Sequence, residues 1–221
     1  MLLIKNQHLA YAYDSRGFIS SRSDANTGQA ETYSYDALGR LSAFKVNGVT
    51  ADSLAYDSKG NITLNTAVGT YAYNGDGPHA VSRITGSLAR PGVGTDCDAA
   101  YGLRNLPTAL AEGSSSVTID YDADGMRRHT RFFQGNTLER SVTRISGIHE
   151  VETRGSATRK IDYIHADGRV VAVHVRNGNA DSLYYVISDH LGSWNMVTDG
   201  AKNTVQSTHF DPWGNRMSHT A

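Results

Sequence analysis

Apolar side chains recur at close to every second position in short stretches of this chain, and turn residues separate the stretches. In YSYDALGRLSAFKV, residues 33–46, this pattern lies on both sides of the segment from Asp36 to Gly39. A period of two is typical of strands with one packed face. Helical periodicity is nearly absent, and its best candidate, residues 99–112, is broken by a glycine and a proline and stays ambiguous. The pattern predicts an all-β chain of antiparallel hairpins.

A five-residue motif, Tyr-Asp-x-x-Gly, returns along the chain. The intervals from Asp14 to Asp36 and from Asp36 to Asp57 measure 22 and 21 residues, which indicates a structural repeat. Degenerate copies occupy residues 73–77, 163–168 and 210–214. The residues that define the four full copies are Tyr13, Asp14 and Gly17; Tyr35, Asp36 and Gly39; Tyr56, Asp57 and Gly60; and Tyr121, Asp122 and Gly125.

Each residue type in the motif has a physical reason to lie in a hairpin turn. The aspartate carboxylate accepts hydrogen bonds from backbone N–H groups two or more residues later. The glycine supplies the positive φ of a type I turn with a bulge, and the tyrosine ends a strand and packs across the hairpin. A repeat of about 21 residues holds two strands, so a chain of this length holds roughly twenty strands.

A single hairpin of this kind cannot bury its own hydrophobic face, so the repeats are expected to stack on their neighbours. The expected product is a large antiparallel sheet that curls or spirals because paired strands twist. We expect YD-repeat hairpins in residues 1–85, an irregular or degenerate segment in 86–118, and a repeat with a later ordered block in 119–221. Together these regions are expected to form one continuous structural unit.

Composition and charge narrow the classes of partner. The chain has 22 glycines, 12 tyrosines and only 4 prolines, which favours hairpin turns over a proline-rich linker. Its formal net charge of −1 provides no field that attracts nucleic acid, so none is expected as a partner.

No stretch approaches the ~20 apolar residues of a membrane span, and the start, MLLIKNQHLAYAYD, does not read as a signal peptide. The single cysteine, Cys97, excludes an internal disulfide.

Several motifs together carry a family likeness. Besides the full repeats, the chain contains NGDGPHAVSRI at 74–84 and a later block with DHLGS at 189–193 and DPWG at 211–214. On these segments essentially the whole chain resembles the RHS/YD-repeat proteins of bacterial polymorphic toxins, toxin-complex C subunits and animal teneurins. The later block, together with the repeat before it in 119–221, resembles the front of the family's RHS-associated core. It adds six residues to the predicted structural turns: Asp189, His190, Gly192, Asp211, Pro212 and Gly214.

The resemblance implies a fold in which hairpins spiral into a hollow shell around a polypeptide cargo. The partners it implies are an enclosed toxin or effector, other shell segments and, through open sheet edges, further copies of the chain. The implied location is outside the cell or at its surface, as part of a larger system. Toxin members cleave themselves at a DPxGL-type motif, which this sequence lacks, so a non-enzymatic role is expected. The alternative is a surface module that binds glycans or a partner protein through its tyrosines.

Three pairs of ionisable residues invite a catalytic or metal-binding interpretation. The pairs are His165 with Asp167, Asp189 with His190, and His209 with Asp211. All lie in or beside predicted turns, where aspartate bonds to the backbone, so a structural role is favoured. Asp189 and Asp211 do not indicate an aspartyl dyad, because the repeat spacing already explains both. We predict no catalytic residue, no metal and no cofactor.

Overall fold

The structure, a computed structural model, describes residues 8–75, 77–86 and 96–217. The regular secondary structure of these residues consists of 21 β-strands, and no helix is assigned among them. The predicted fold class, all-β with repeated antiparallel hairpins, is confirmed. Within the same residues there is no helix of the length and hydrophobicity that crossing a membrane requires.

Contacts divide the chain into two compact units, with the division between Ser116 and Val117. In the first unit each strand pairs antiparallel with the next along the chain, from the first strand to the tenth. The strands are β1 (Leu9–Tyr13), β2 (Ile19–Asp24), β3 (Gln29–Tyr35), β4 (Leu41–Val46), β5 (Val49–Tyr56), β6 (Ile62–Asn65), β7 (Gly69–Ala72), β8 (Arg83–Gly86), β9 (Cys97–Tyr101) and β10 (Pro107–Glu112).

The division between the units falls inside β11 (Ser115–Tyr121). In the second unit, β12 to β19 form another antiparallel meander, and β20 and β21 form a short hairpin. The strands are β12 (Arg127–Gln134), β13 (Thr137–Ile145), β14 (His149–Arg154), β15 (Ala157–Ala166), β16 (Arg169–Asn177), β17 (Ala180–Ser188), β18 (Trp194–Thr198), β19 (Thr204–Ser207), β20 (His209–Phe210) and β21 (Arg216–Met217).

Some strands are joined by two-residue turns with positive φ at both residues. Asn47 and Gly48, between β4 and β5, have φ values of 50° and 82°, and Asp167 and Gly168, between β15 and β16, have 51° and 71°. These values are those of type I′ turns, whose twist matches that of paired strands. The prediction of a degenerate repeat at residues 163–168 is therefore wrong. The Asp-Gly pair forms a two-residue hairpin turn instead, and Tyr163 lies inside β15.

The segment with ambiguous periodicity, residues 99–112, is extended and not helical. It contains most of β9 and all of β10, which pair with each other. Of the segment expected to be irregular, residues 87–95 lie outside the described residues, as does Asp76 of the degenerate copy at 73–77. The start that was examined for a signal peptide is described only from residue 8.

Much of the burial in this protein involves polar groups. Glu31 of β3 is only 1% exposed and accepts hydrogen bonds from Arg22 of β2 at 2.8 and 3.0 Å, from Gln29 at 2.8 Å and from the hydroxyl of Tyr33. Burial raises the pKa of Tyr33, and its bond to Glu31 raises it further. A buried ion pair is tolerated when its polar atoms are satisfied in this way. The buried hydrophobic residues are Phe44, Ala80, Ile119, Val142, Ala172, Val173, Val186 and Met196.

Candidate functional site

Six of the turns predicted from the sequence share one backbone pattern. In each, the N–H of the first residue donates to the carbonyl four residues later, and the N–H of the fourth residue donates back to the first carbonyl. The fourth residue is a glycine with φ between 79° and 88°. An L side chain is disfavoured in this left-handed region, which accounts for the glycine. The turns begin at Asp14, Asp36, Asp57, Asp122, Asp189 and Asp211.

The turn at Asp36 shows what the aspartate carboxylate does. Its Oδ1 accepts hydrogen bonds from the N–H groups of Leu38 and Arg40, both at 2.9 Å, and its Oδ2 accepts one from Nε of Arg40 at 2.7 Å. The backbone N–H of Arg40 and then its side chain hold the pKa of Asp36 below the ordinary value. The carboxylate is therefore a turn cap whose charged form is the stabilised one.

The later block uses its aspartates in the same way. Oδ1 of Asp189 accepts bonds from the N–H groups two and four residues later, both at 2.9 Å, and Oδ1 of Asp211 does so at 2.9 and 2.8 Å. His190 is exposed and Pro212 is half-buried in these turns, while His209 is buried in β20. Asp189 and Asp211, whose spacing raised the question of an aspartyl dyad, thus each cap their own turn.

A tyrosine links each of the first repeats to the repeat before it. The hydroxyl of Tyr35 donates to the carbonyl of Ile19 at 2.9 Å, and that of Tyr56 to the carbonyl of Leu41 at 2.7 Å. The accepting residue stands two positions after the glycine of the preceding turn in both cases. The tyrosine of the degenerate copy, Tyr73, repeats the contact with the carbonyl of Ile62 at 2.8 Å. In these three copies the tyrosine is therefore a hydrogen-bonded link between successive hairpins.

Arginines add a second link between the same repeats. Arg40, held by Asp36, places its guanidinium carbon 4.3 Å from the ring centre of Tyr56 in the next repeat. Arg16, held by Asp14, lies 6.0 Å from the ring centre of Tyr35. Both distances are within cation–π range. One turn aspartate thus positions the cation that faces the tyrosine of the next turn.

The second unit contains a groove on one face of its sheet, with a cavity volume of about 830 Å³. Aromatic and aliphatic side chains dominate the lining, and the rings of Tyr163 and Trp194 lie 6.1 Å apart at 59°. Two arginines, Arg159 and Arg216, also line the groove, and its lining includes no aspartate or glutamate. The remaining lining residues are Ile161, Val173, Val175, Asn177, Ala180, Ser182, Tyr184, Gly192, Ser193, Val197, Val205, Gln206, Phe210 and Gly214.

The recurrent turn occurs in both units, the tyrosine links lie in the first unit and the groove lies in the second, whereas the match to a known family extends over the whole chain. A family model described as the Teneurin YD-shell matches residues 1–221. The chain belongs to the Teneurin YD-shell family. The resemblance to YD-repeat shell proteins is thereby confirmed. No curated protein matches this YD-shell chain.

Two turns of the YD-shell chain escaped the sequence motif. Residues 102–106 and 199–203 make the same pair of backbone hydrogen bonds as the repeat turns, with positive φ at Asn105 (57°) and Lys202 (68°) in place of glycine. The second keeps the starting aspartate, Asp199, whose pKa is lowered by hydrogen bonds from the side chain and then the backbone of Asn203. An aspartate followed four residues later by asparagine is the signal that would have found it.

In the YD-shell chain, the candidate pair of His165 and Asp167 is divided between a strand and a turn. His165 is exposed in β15, while Asp167 forms part of the two-residue turn that follows it. Across the part of the chain that the structure describes, no group of three or more His, Cys, Asp or Glu side chains is placed to hold a metal ion. The arrangement is that of a repeat scaffold with a groove in its second unit.

Proposed function

We propose that this chain is a non-enzymatic wall segment of a YD shell and that the groove of its second unit holds part of an enclosed polypeptide. The groove is the observation that carries this proposal. Its volume of about 830 Å³ and its aromatic and aliphatic lining suit the apolar side chains of an extended chain. The turns and tyrosine links supply the wall, and the groove supplies the contact with the guest.

The charge of the groove favours a guest that carries carboxylates. Arg159 and Arg216 line it without an acidic residue in the lining. Arg159 also contacts Glu152 at 2.5 Å, whereas Arg216 is exposed in the short strand β21. A guanidinium beside an apolar surface pairs readily with a carboxylate of a bound chain. The guest class is therefore a polypeptide that combines apolar and acidic residues.

The identity of the guest follows from the family likeness and belongs to the same proposal. YD-repeat shells of toxin systems enclose a toxin or effector domain, and we assign this role to the guest here. The proposed location is accordingly outside the cell or at its surface, as part of a larger assembly. Other shell segments are the proposed neighbours of the chain in that assembly.

Fluorescence of Trp194 tests the groove directly. In a Trp213→Phe background, Trp194 is the sole tryptophan and reports on ligands in the groove. We expect an unstructured peptide rich in Leu, Phe and Glu to change this signal, and a peptide with Lys in place of Glu to bind more weakly. Arg216→Glu should weaken binding of the acidic peptide roughly two- to fivefold, as expected for one exposed ion pair.

The control is Arg128→Glu, which reverses the charge of an exposed arginine in β12 that does not line the groove. This variant should bind the acidic peptide like the parent. If all variants bind both peptides equally, the groove does not select by charge. If neither peptide binds, the guest is not a polypeptide.

A glycan is the second candidate ligand, because the groove also has the composition of a sugar site. Tyr163, Tyr184 and Trp194 offer ring faces, and Asn177 and Gln206 offer amide groups. A neutral oligosaccharide carries no carboxylate, so its binding should be insensitive to Arg216→Glu, which weakens binding of the acidic peptide. The same fluorescence assay therefore separates the two ligands.

A further inference from the structure

A row of charged side chains crosses β14 to β17 in the second unit, on the face of the sheet opposite the groove. Asp162 neighbours Ile161 and Tyr163 of the groove lining in β15, and successive side chains of a strand point to opposite faces. In register across the strands, His149 of β14 lies opposite Asp162, and Asp162 lies opposite His174 of β16.

The contacts in this row join four consecutive strands. Nδ1 of His149 lies 2.5 Å from Oδ1 of Asp162, and Arg176 donates to Oδ2 of Asp162 at 2.7 Å. Nδ1 of His174 lies 3.6 Å from the same Oδ2, while its Nε2 contacts Oδ1 of Asp181 in β17. His174 is thus placed between the carboxylates of the strands on either side of its own.

Both ring nitrogens of His174 face a carboxylate, and this geometry distinguishes its protonation states. A neutral imidazole donates from one nitrogen only, whereas an imidazolium donates from both. The neutral ring can donate from Nε2 to Asp181, but its Nδ1 then turns a lone pair toward Asp162, 3.6 Å away. Only the protonated ring is attracted to both carboxylates, through a hydrogen bond to Asp181 and an ion pair with Asp162 at a distance too long for a hydrogen bond.

Besides His174 and the two carboxylates, this face carries Arg176, Lys160 opposite it, and His149, a second titratable group that contacts Asp162. Apolar residues lie opposite both histidines of the row: Ile145 of β13 lies opposite His149, and Leu183 of β17 lies opposite His174. The added proton on His174 thus meets two anions as its nearest charged partners.

We propose that His174 is a proton-operated clamp that ties β15 to β17 across β16. The clamp is closed while the ring is protonated and loses the ion pair between His174 and Asp162 when the ring is neutral. Asp162 keeps its charge through this range, because hydrogen bonds from His149 and then Arg176 hold its pKa below the ordinary value. This part of the wall is therefore held more tightly at mildly acidic pH than above neutrality, whatever the guest.

Thermal unfolding of the full chain at pH 5.5 and pH 8, on either side of the ~6.5 of an unperturbed imidazole, tests the clamp. We expect His174→Gln to lower the melting temperature more at pH 5.5 than at pH 8, by about 2–4 °C, the shift that ~1 kcal/mol gives in a protein of this size. His165→Gln is the matched control, since His165 is an exposed histidine of β15, and it should keep the parent's difference between the two pH values.

A second variant covers the case in which His174→Gln does not fold. Asp181→Asn keeps the shape of an exposed side chain and removes one of the two anions. Protection factors from hydrogen exchange of the β16 and β17 amides, which remove the intrinsic pH dependence of amide exchange, should then vary less with pH in this variant than in the parent. If Asp181→Asn, or a folded His174→Gln, retains the parent's pH dependence, the clamp does not exist.

Discussion

At the scale of the residue, one aspartate and one glycine determine each turn through the backbone. The aspartate of the turn at Asp36 binds two N–H groups with a single oxygen, and Gly39 takes a φ of 79°. Neither contribution depends on a hydrophobic contact of the residue itself. Substitutions at these positions therefore act through backbone conformation and hydrogen bonding.

Gly17 and Gly39 separate backbone strain from steric conflict. Both have a positive φ, but a Cβ at Gly17 meets no atom within 4 Å, whereas at Gly39 it would lie 2.8 Å from Cζ of Phe18. Gly17→Ala should cost about 1–2 kcal/mol for the left-handed backbone, and Gly39→Ala about 1–3 kcal/mol more for the displaced ring. Urea unfolding of the two variants measures the difference, and equal losses would show that the Phe18 ring moves freely.

The loss of folding stability at acidic pH should arise in part from the aspartates that cap the turns. Because the folded pKa of Asp36 is lowered from the value of 3.8, its contribution to stability is present above that pH and is lost as the pH falls through the folded pKa. Asp36→Asn should therefore flatten the decline of stability below about pH 4. Asp124→Asn, at an exposed position of another turn, should leave the acid profile of the parent unchanged.

Turn residues can be predicted from the sequence where the backbone conformation requires a particular residue type. Aspartate and glycine in the motif indicate a turn because few alternatives meet the same demands. Lys202 also has a positive φ of 68°, yet lysine occurs everywhere on protein surfaces and signals nothing. Asp167 is the opposite case, since an Asp-Gly pair indicates a tight hairpin and overrides a longer motif.

At the scale of the element, hairpins are coupled by tyrosine hydroxyls that reach the backbone of the preceding repeat. Such a bond differs from side-chain packing because its acceptor is a carbonyl, which any residue supplies. The link therefore tolerates sequence change in the accepting strand, whereas it requires a tyrosine in the donating one. This explains why the tyrosine is the more regular member of the pair.

Removing one hydroxyl should weaken one link. Tyr56→Phe deletes the 2.7 Å bond to the Leu41 carbonyl and should destabilise the first unit by about 0.5–1.5 kcal/mol. Tyr13→Phe is the control, because Tyr13 is 61% exposed and should change stability by only a few tenths of a kcal/mol. Denaturant unfolding measures both, and a loss as large in Tyr13→Phe would mean that these hydroxyls act through solvation instead.

Strand order and hairpin type follow from local sequence, but cross-strand chemistry does not. The row at His174 and the pair of Arg22 with Glu31 depend on register, and a shift of one residue would move every side chain to the other face. Bulges near the repeat turns, such as the one between Ser34 and Tyr35, change that register locally. The groove and the clamp therefore could not be predicted from the sequence, although it contains all their residues.

At the scale of the whole molecule, the chain consists of two meanders in which each strand pairs with its neighbour in sequence. This is the organisation that repeat proteins use, in which stability is a sum of repeats and their interfaces. Membership in the YD-shell family gives the organisation a purpose, which is to build a wall. The function proposed above then lies in what the wall encloses.

Association of chains is a further expectation at this scale. A segment of a shell wall that ends in open strand edges should pair with another copy unless those edges are capped. Sedimentation of the purified chain should therefore show dimers or larger species whose population grows with concentration. A single monomeric species at all concentrations would indicate that the edges are protected.

The central claim, that this chain is wall and not a compact domain, is tested most directly by small-angle X-ray scattering with molar-mass determination on the purified chain. The account predicts a hollow or crescent-shaped particle, or an oligomer that closes one. A compact, solid monomer would contradict it and would make glycan or partner binding at the groove the leading function.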